Sequence, residues 1–303
     1  MLNIKSRAAA ISVASNTTLI ILKVVAGILT GSISLIAEAV HSTMDLAASV
    51  IAFFSVRVSD NPADEQHPFG HGKAENISGV AEALLIFVAA GIIIYEAILK
   101  FIVGTKLEFV EIGIGIMAVS IIVNIIVSRY LLKISRKTDS LALEADARHL
   151  TTDVLTMVGV LVGLGLVRLT GLNIFDPITA LIVALLIFRA AYEITRKSFG
   201  GLMDTRLPKA ELDAIASIIK DHAGSLAGFH EMRTRKAGSQ RFIDLHLVLP
   251  NKVNLEQAHD MCDHLEQDIK NKLPNSSITI HVEPCSAECV DCTVVCTCRL
   301  DRK

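Results

Sequence analysis

Two identical spacings of metal-binding residue types occur in the chain. His41 and Asp45 are four residues apart, and so are His149 and Asp153. Residues four apart in a helix lie on one face, one turn above the other, so each segment presents an imidazole and a carboxylate together. Two such helices can close a tetrahedral shell of two nitrogens and two oxygens. This shell suits Zn²⁺, matches Co²⁺, Fe²⁺ or Mn²⁺ less well, and disfavours Ca²⁺ and Mg²⁺.

The elements that must hold these residues are membrane spans. Residues of the types AVILMFWYC make up 51% of the 303 residues, and charged residues make up only 20%, against about 25% in ordinary soluble domains. Six stretches are apolar and long enough to cross a hydrocarbon core of ~30 Å, which takes about 20 residues. They run approximately over Ala8–Leu29, Ile33–Val56, Ile77–Ile102, Val110–Leu132, His149–Leu169 and Ile174–Ile194.

The four residues of the paired spacing therefore fall within or at the edge of predicted spans. The alternative interpretation is two unrelated polar pairs, each satisfied by neighbouring helices. Ionisable side chains are costly at such depth, and packing alone is a poor reason to bury four of them. The sequence favours a divalent-metal site inside the membrane.

Basic residues indicate the orientation of the spans. Ten Lys and Arg residues near span ends lie on the side of the N-terminus, whereas the alternate loops contain only Lys100, Lys106 and Arg168. The excess of basic residues marks the cytoplasmic side, so we expect both termini in the cytoplasm. With 29 Lys and Arg against 31 Asp and Glu, the formal charge is -2, which gives no support for binding nucleic acid.

The pattern changes to that of a soluble domain at Asp204. A helix of about fifteen residues is expected after Leu207, and the predicted elements that follow give the order α-β-β-α-β, a small α+β sandwich with its helices on one sheet face. We therefore expect a six-span membrane domain over 1–203, a cytosolic domain over 204–284 and a Cys-rich tail over 285–303. The later predicted elements are the strands Gly228–Thr234 and Arg241–Leu249, the helix Leu255–Lys272 and the strand Ser277–Val282.

Candidate ligands also occur outside the spans. Histidines at strand starts or ends favour a ligand set in the cytosolic domain, although a lone histidine is more often a surface or core residue. Cysteines of the tail lie in the reducing cytosol, where thiolate capture of Zn²⁺ or Cu⁺ is favoured over disulfides; the alternative is a flexible thiol-bearing tail. The residues concerned are His230, His246, His281 and Glu283 near strand ends, His259 on a helix, and Cys285, Cys289, Cys292, Cys296 and Cys298 in the tail.

Several motifs resemble those of the cation diffusion facilitators. GSISL at 31–35, FGHGKAE at 69–75, FDP at 175–177 and GLMD at 201–204 accompany the two His-x-x-x-Asp pairs. Members of this family are six-span divalent-metal exporters of the cytoplasmic membrane with a cytosolic, metallochaperone-like αββαβ domain. The resemblance therefore implies a homodimeric exporter rather than an enzyme.

The resemblance also implies roles for particular residues. The transport site of the family corresponds to His41, Asp45, His149 and Asp153, and an auxiliary metal site in the loop after the second span corresponds to Asp64, His67 and His71. A binuclear site at the homodimer interface corresponds to His230, His246, His259, His281 and Glu283. Lys73 and Asp204 correspond to a charge interlock near the membrane surface.

Coupling to protons follows from the ligand types. Metal ligands must be deprotonated to bind, so Zn²⁺ and H⁺ compete for the same four side chains, and we expect antiport by alternating access. No G-x-x-x-x-G-K-[ST] motif is present, so ATP drive is unsupported. An intramembrane zinc protease is disfavoured because His-Glu-x-x-His is missing and the four ligands leave no position for catalytic water. Export of iron, cobalt, manganese or cadmium, and a metal sensor or scaffold that does not transport, remain as alternatives.

Overall fold

The computed structural model describes residues 3–30, 33–103, 111–172, 174–222 and 226–285. The chain divides into two compact units between Leu202 and Met203. The first unit contains the helices α1 (Ile4–Thr30), α2 (Ile33–Ser59), α3 (Lys73–Val103), α4 (Glu111–Thr138), α5 (Leu141–Thr170) and α6 (Phe175–Leu202). The second contains α7 (Lys209–Asp221), β1 (Gly228–Ala237), β2 (Gln240–Leu249), α8 (Leu255–Lys272) and β3 (Ser276–Pro284).

Each of the first six helices is long and apolar enough to cross a membrane. The six spans and the α+β unit that follows them confirm the fold class expected from the sequence. We call the end of the bundle where α1 begins and α2 ends the terminal end. The opposite end, where α1 ends and α2 begins, is called the loop end.

Helix α5 begins eight residues before the predicted start of the fifth span at His149. The Ser140 hydroxyl caps the helix by accepting a hydrogen bond from the Leu143 N–H at 3.4 Å, and charged residues such as Glu144 occupy the first turns. These charges lower the local hydropathy, so the apolar pattern alone placed the boundary too late. The correction moves His149 about two turns into the helix.

Close packing of α5 against α6 depends on glycine. A Cβ atom added at Gly159 would lie 2.5 Å from Val183 Cγ2, and one added at Gly163 would lie 3.3 Å from the Asp176 Cα atom. A Cβ atom at Gly165 would meet nothing within 4 Å. Small residues at the first two positions therefore let the two backbones approach each other.

We expect Gly159→Ala to destabilise the membrane unit, because the valine that it would meet has a stiff, branched side chain. Overpacking of this kind costs about 1–3 kcal/mol. Gly165→Ala is the matched control on the same helix and should be neutral or slightly stabilising, since alanine is favoured over glycine by about 1 kcal/mol in a helix. Thermal unfolding of the purified full-length variants measures the difference; equal midpoints would contradict the close contact.

Helices α3 and α6 are tied together at both ends. At the terminal end, Asn76 Nδ2 donates to the Ser198 carbonyl at 3.2 Å, and Lys73 Nζ donates to the Leu202 carbonyl at 3.4 Å. At the loop end, Lys100 Nζ lies 2.8 Å from Asp176 Oδ2. The two helices therefore form a pair held by polar contacts at both ends.

The sheet of the second unit has the order β1-β2-β3. Strands β1 and β2 are antiparallel, whereas β2 and β3 are parallel, as the crossover through α8 requires. Alternate residues of β2 from Ile243 to Leu249 are buried against α7 and α8. Because side chains alternate across a strand, His246 lies on the other face, in register with His230 on one side and His281 on the other.

Candidate metal centres

Three of the four predicted transport ligands converge inside the membrane unit. Asp45 of α2 and His149 and Asp153 of α5 each offer one ligand atom, and these atoms all lie within 4.8 Å of one another. His149 Nε2 is 3.3 Å from Asp45 Oδ1, and His149 is only 4% exposed. His41 lies in α2, but its side chain is outside the described part of the structure.

The two carboxylates of this site favour the binding of a cation. Two carboxylates repel each other in a medium of low dielectric constant, and each loses hydration there. A divalent ion or bound protons would offset that repulsion, and the imidazole supplies a nitrogen ligand of the kind that zinc prefers. The geometry therefore suits a divalent cation and protons as alternative occupants of Asp45, His149 and Asp153.

A cavity of about 430 Å³ adjoins the site. Asp45 and Asp153 line it, and so do Lys23, Glu96 and Met117. These last three residues lie in the halves of α1, α3 and α4 that are nearer to the loop end. The cavity therefore extends from the candidate ligands towards that end of the bundle.

Apolar packing lies on the other side of the site. A buried cluster at the terminal end joins α1, α2, α4 and α5 and includes Ala8, Val56, Leu131, Leu143 and Ala147. Because these side chains are close-packed, water and ions have no space among them. Among the described residues, an apolar cluster therefore lies at the terminal end, whereas the cavity beside the ligands extends towards the loop end.

Sequence reasoning missed two buried acids in the membrane unit. Glu82 of α3 and Asp146 of α5 are both 0% exposed, and Glu82 accepts a hydrogen bond from the Ser78 hydroxyl at 3.0 Å. Asp146 precedes His149 by three residues, so the two share a helix face. An ionisable residue within an apolar span was the signal that could have identified Glu82, whereas Asp146 precedes the predicted fifth span and was left outside it.

The loop between α2 and α3 brings its three predicted ligands together. Asp64 Oδ1 accepts from the His67 backbone N–H at 2.6 Å and lies 3.1 Å from His67 Nδ1, while Asp64 Oδ2 lies 3.3 Å from His71 Nε2. The hydrogen bond from the His67 backbone lowers the pKa of Asp64, with the two imidazoles adding to the effect. Asp64 is therefore held in the anionic, ligand-competent form.

A third cluster lies on the exposed face of the sheet in the second unit. Glu283 Oε1 is 2.8 Å from His246 Nδ1, and Glu283 Oε2 is 3.1 Å from His230 Nε2. The hydrogen bond with His246, followed by that with His230, lowers the pKa of Glu283. The ring of His281 is centred 4.8 Å from that of His246. One carboxylate and three imidazoles therefore share one patch.

A bulge in β1 adds a residue that sequence reasoning missed. The register shifts between His230 and Arg233, and Glu231 has a positive φ of 50°. Bulges redirect side chains, and the Glu231 carboxylate lies 3.6 Å from His246 Nε2. Both ring nitrogens of His246 thus face carboxylates, an arrangement that favours a cation on either nitrogen.

His259 is not part of this cluster in the described part of the chain. It lies on α8, its side chain is 72% exposed, and its Nε2 atom is 3.6 Å from Asp263 Oδ2. A role as a ligand would require a contribution from outside this chain's own cluster, such as the second copy in a homodimer. The five-residue interface site therefore stays a prediction.

Comparison with known proteins identifies the family. The family model of the cation efflux transmembrane domain matches residues 9–203, and that of the cytoplasmic domain of cation efflux proteins matches residues 207–285. The chain belongs to the cation diffusion facilitators. This membership confirms the resemblance stated from the motifs, and it makes the chain a cation-efflux transporter with several membrane spans.

Relatives cover nearly the whole chain. The uncharacterized transporter sll1263 of Synechocystis is 37% identical over 87% of this chain and 85% of its own. The cation-efflux pump FieF of Salmonella paratyphi A is 36% identical over 93% of each chain. The solved structure of CzrB in its zinc form is 35% identical and covers 27% of this chain and 92% of that chain, with a TM-score of 0.26.

Two further predictions concern the tail and the charge interlock. Cys285 is buried, and its N–H donates to the Leu249 carbonyl at 2.8 Å, so it belongs to the folded unit. Asp204 Oδ1 lies 3.5 Å from Arg235 Nη1, and the interlock of Asp204 with Lys73 stays a prediction. The remaining tail ligands, Cys289, Cys292, Cys296 and Cys298, lie outside the described residues.

Proposed function

We propose that this cation-efflux transporter exports Zn²⁺ from the cytoplasm in exchange for protons. The observation that carries the proposal is the convergence of Asp45, His149 and Asp153 within the membrane unit. His41 is the fourth ligand by its spacing from Asp45. Zinc is favoured over Fe²⁺, Co²⁺, Mn²⁺ and Cd²⁺ because a shell of two imidazoles and two carboxylates suits its four-coordinate geometry.

Proton exchange rests on the same side chains. Imidazole and carboxylate bind metal only when deprotonated, so arrival of protons at Asp45, His149 and Asp153 weakens the hold on zinc. The cavity beside these groups extends towards the loop end, which supports a route for protons and water from that end. Protons entering there would displace zinc, and the proton gradient would supply the work.

Orientation and assembly complete the proposal. The excess of basic residues supports a cytoplasmic terminal end, and the loop end, towards which the cavity extends, would then face outward across the cytoplasmic membrane. A homodimer is supported by the match of residues 207–285 to the family model ZT_dimer. Zinc bound by the cytosolic His230, His246 and Glu283 cluster would tighten that dimer when cytosolic zinc rises.

A flux measurement tests the proposal. The purified protein is reconstituted in vesicles, and zinc movement and internal pH are followed with two dyes after a pH step is imposed. We expect zinc movement driven by the pH step, proton movement in the opposite direction, and loss of both when an ionophore collapses the gradient. Zinc binding without any flux would instead support a sensor or scaffold. Competition by the other four metals identifies the preferred ion.

His41→Asp is expected to shift ion preference towards Cd²⁺. The change replaces an imidazole with a carboxylate, and the resulting oxygen-rich shell discriminates less between zinc and cadmium. Flux of both ions in the same vesicles measures the ratio, with Ser42→Ala as a neighbouring control that leaves the ligands intact. An unchanged ratio would place the selectivity elsewhere.

A further inference from the structure

A buried carboxylate joins four helices at the terminal end of the membrane unit. Glu75, in the first turn of α3, is 0% exposed. Its Oε1 atom accepts from Lys5 Nζ of α1 at 3.1 Å and from the Ser59 hydroxyl of α2 at 3.0 Å. Its Oε2 atom accepts from the Ser140 hydroxyl at 2.7 Å and the Ala142 N–H at 3.4 Å, both at the start of α5. One side chain thus contacts the ends of three other helices.

Charge balance strengthens the contacts of Glu75. Lys5 Nζ also lies 3.1 Å from Asp60 Oδ1, and the Lys5 side chain is only 9% exposed. The cation therefore sits between two carboxylates, away from bulk water, where charge-assisted hydrogen bonds are strongest. The Glu75 carboxylate also faces the N-terminus of α5, where the helix dipole favours a negative charge.

The contacts of Glu75 cross between two groups of helices. Its own helix, α3, is fastened to α6 by Asn76 and Lys73 at the same end. The partners of Glu75 lie on α1, α2 and α5, which pack around the apolar cluster of the terminal end. Release of the Glu75 contacts would therefore remove a buried polar connection between the terminal ends of α1, α2 and α5 and the α3–α6 pair.

The same end of the unit contains an exposed ion pair for comparison. Glu144 Oε1 of α5 lies 2.6 Å from Lys197 Nζ of α6, and these side chains are 25% and 54% exposed. This pair also connects α5 with the α3–α6 pair. Solvent-exposed pairs contribute little because water and salt screen them. Glu144 is consequently a suitable control position, because its substitution shows the effect of losing an ordinary surface ion pair between the same elements.

We propose that Glu75 is the latch of a gate at the terminal end of the membrane unit. Its contacts with Lys5, Ser59 and Ser140 hold that end closed in the described arrangement, in which the cavity extends towards the loop end. They must break before Asp45, His149 and Asp153 become accessible from the terminal end. This inference rests on the proposed alternating access, but the position of the gate is measurable without any transport.

Hydrogen–deuterium exchange of the full-length protein tests the latch. Glu75→Gln keeps the shape of the side chain and removes its charge. We expect amide exchange at the starts of α1 and α5 and the end of α2 to rise on the order of tenfold, since exchange reports the open population. Exchange at the loop ends of the same helices should not rise. Glu144→Gln, the matched control, should leave exchange at all of these segments as in the parent protein.

Two further variants test the latch if Glu75→Gln does not accumulate as folded protein. Lys5→Met and Asp60→Asn leave Glu75 in place and weaken the network from its edge, so each should raise exchange at the same segments by a smaller factor. Parent-like exchange in the folded variants overturns the latch, as does an equal rise in Glu144→Gln. If exchange rises in Glu75→Gln as expected but the parent protein moves no zinc, the gate is supported and only the transport proposal is contradicted.

Discussion

Replacing Asp153 with alanine should abolish metal transport while the protein remains folded. Asp153 supplies one of the oxygen atoms that converge with His149 and Asp45, and its loss removes a quarter of the proposed shell. Loss of a group that merely orients a ligand costs about 10–100-fold. Loss of a ligand itself should therefore lower zinc flux by more than about 100-fold, and Asp45→Ala should do the same.

Folding is checked by thermal unfolding and by the elution volume of the purified variants. Thr156→Ala serves as the control, because Thr156 lines the same cavity one turn further along α5 and its hydroxyl donates to the Thr152 carbonyl. Its flux should stay within a few-fold of the parent value. Near-normal zinc uptake by Asp153→Ala would remove this residue from the transport site.

Replacing His246 with alanine should eliminate zinc binding in the second unit. His246 contacts Glu283 at 2.8 Å, and its ring lies between those of His230 and His281. Its removal leaves His230, His281 and Glu283 without the imidazole at the centre of the cluster. Calorimetry is carried out on the chain ending at Cys285 and carrying Asp153→Ala, which removes the tail and disables the transport site. The loop cluster of Asp64, His67 and His71 is present with and without His246→Ala, so the difference in zinc stoichiometry between the two proteins counts the ions of the second unit.

His264→Ala is the control for this measurement, since His264 lies exposed on α8. An equal zinc stoichiometry in both variants would make the histidine patch a surface feature. Without Asp153→Ala, joint removal of His230, His246 and His281 should lower transport without ending it, because the patch lies outside the transport site and would act on the dimer.

Proton linkage provides an independent check on the same patch. Hydrogen bonding with His246 lowers the pKa of Glu283, so the folded unit gains stability from this carboxylate above its unfolded pKa of about 4.3. That contribution is lost as the pH falls through the lowered folded value. In His246→Ala the pKa of Glu283 should rise towards its ordinary range, which carboxylate NMR shifts can follow.

Local patterns were sufficient to predict much of the protein. Apolar runs reveal spans because lipid requires them, and alternation in β2 reveals the sheet because side chains alternate across a strand. The pairing of His149 with Asp153 needed only the period of a helix. These features depend on residues close in sequence, so they are visible without a structure.

Other features depend on contacts between distant segments. The start of α5 depends on its cap and not on hydropathy. The approach of Glu231 to His246 requires a bulge that no residue pattern in the sequence predicted. His259 is a histidine like three members of the cluster, but it lies on another surface. The reason is that His259 belongs to α8, whereas the residues of the cluster belong to the strands.

The sequence by itself determined the spans, because each is an apolar run long enough to cross the bilayer. It also determined the order of elements in the second unit and the helical pairing of the transport ligands, because these follow from repeats of two or 3.6 residues. Only the tertiary structure decided that Glu75 meets Lys5, Ser59 and Ser140. These residues occupy the ends of four helices and share no period. Their meeting is set by the lengths of the helices and by how the helices pack, and both are properties of the assembled bundle.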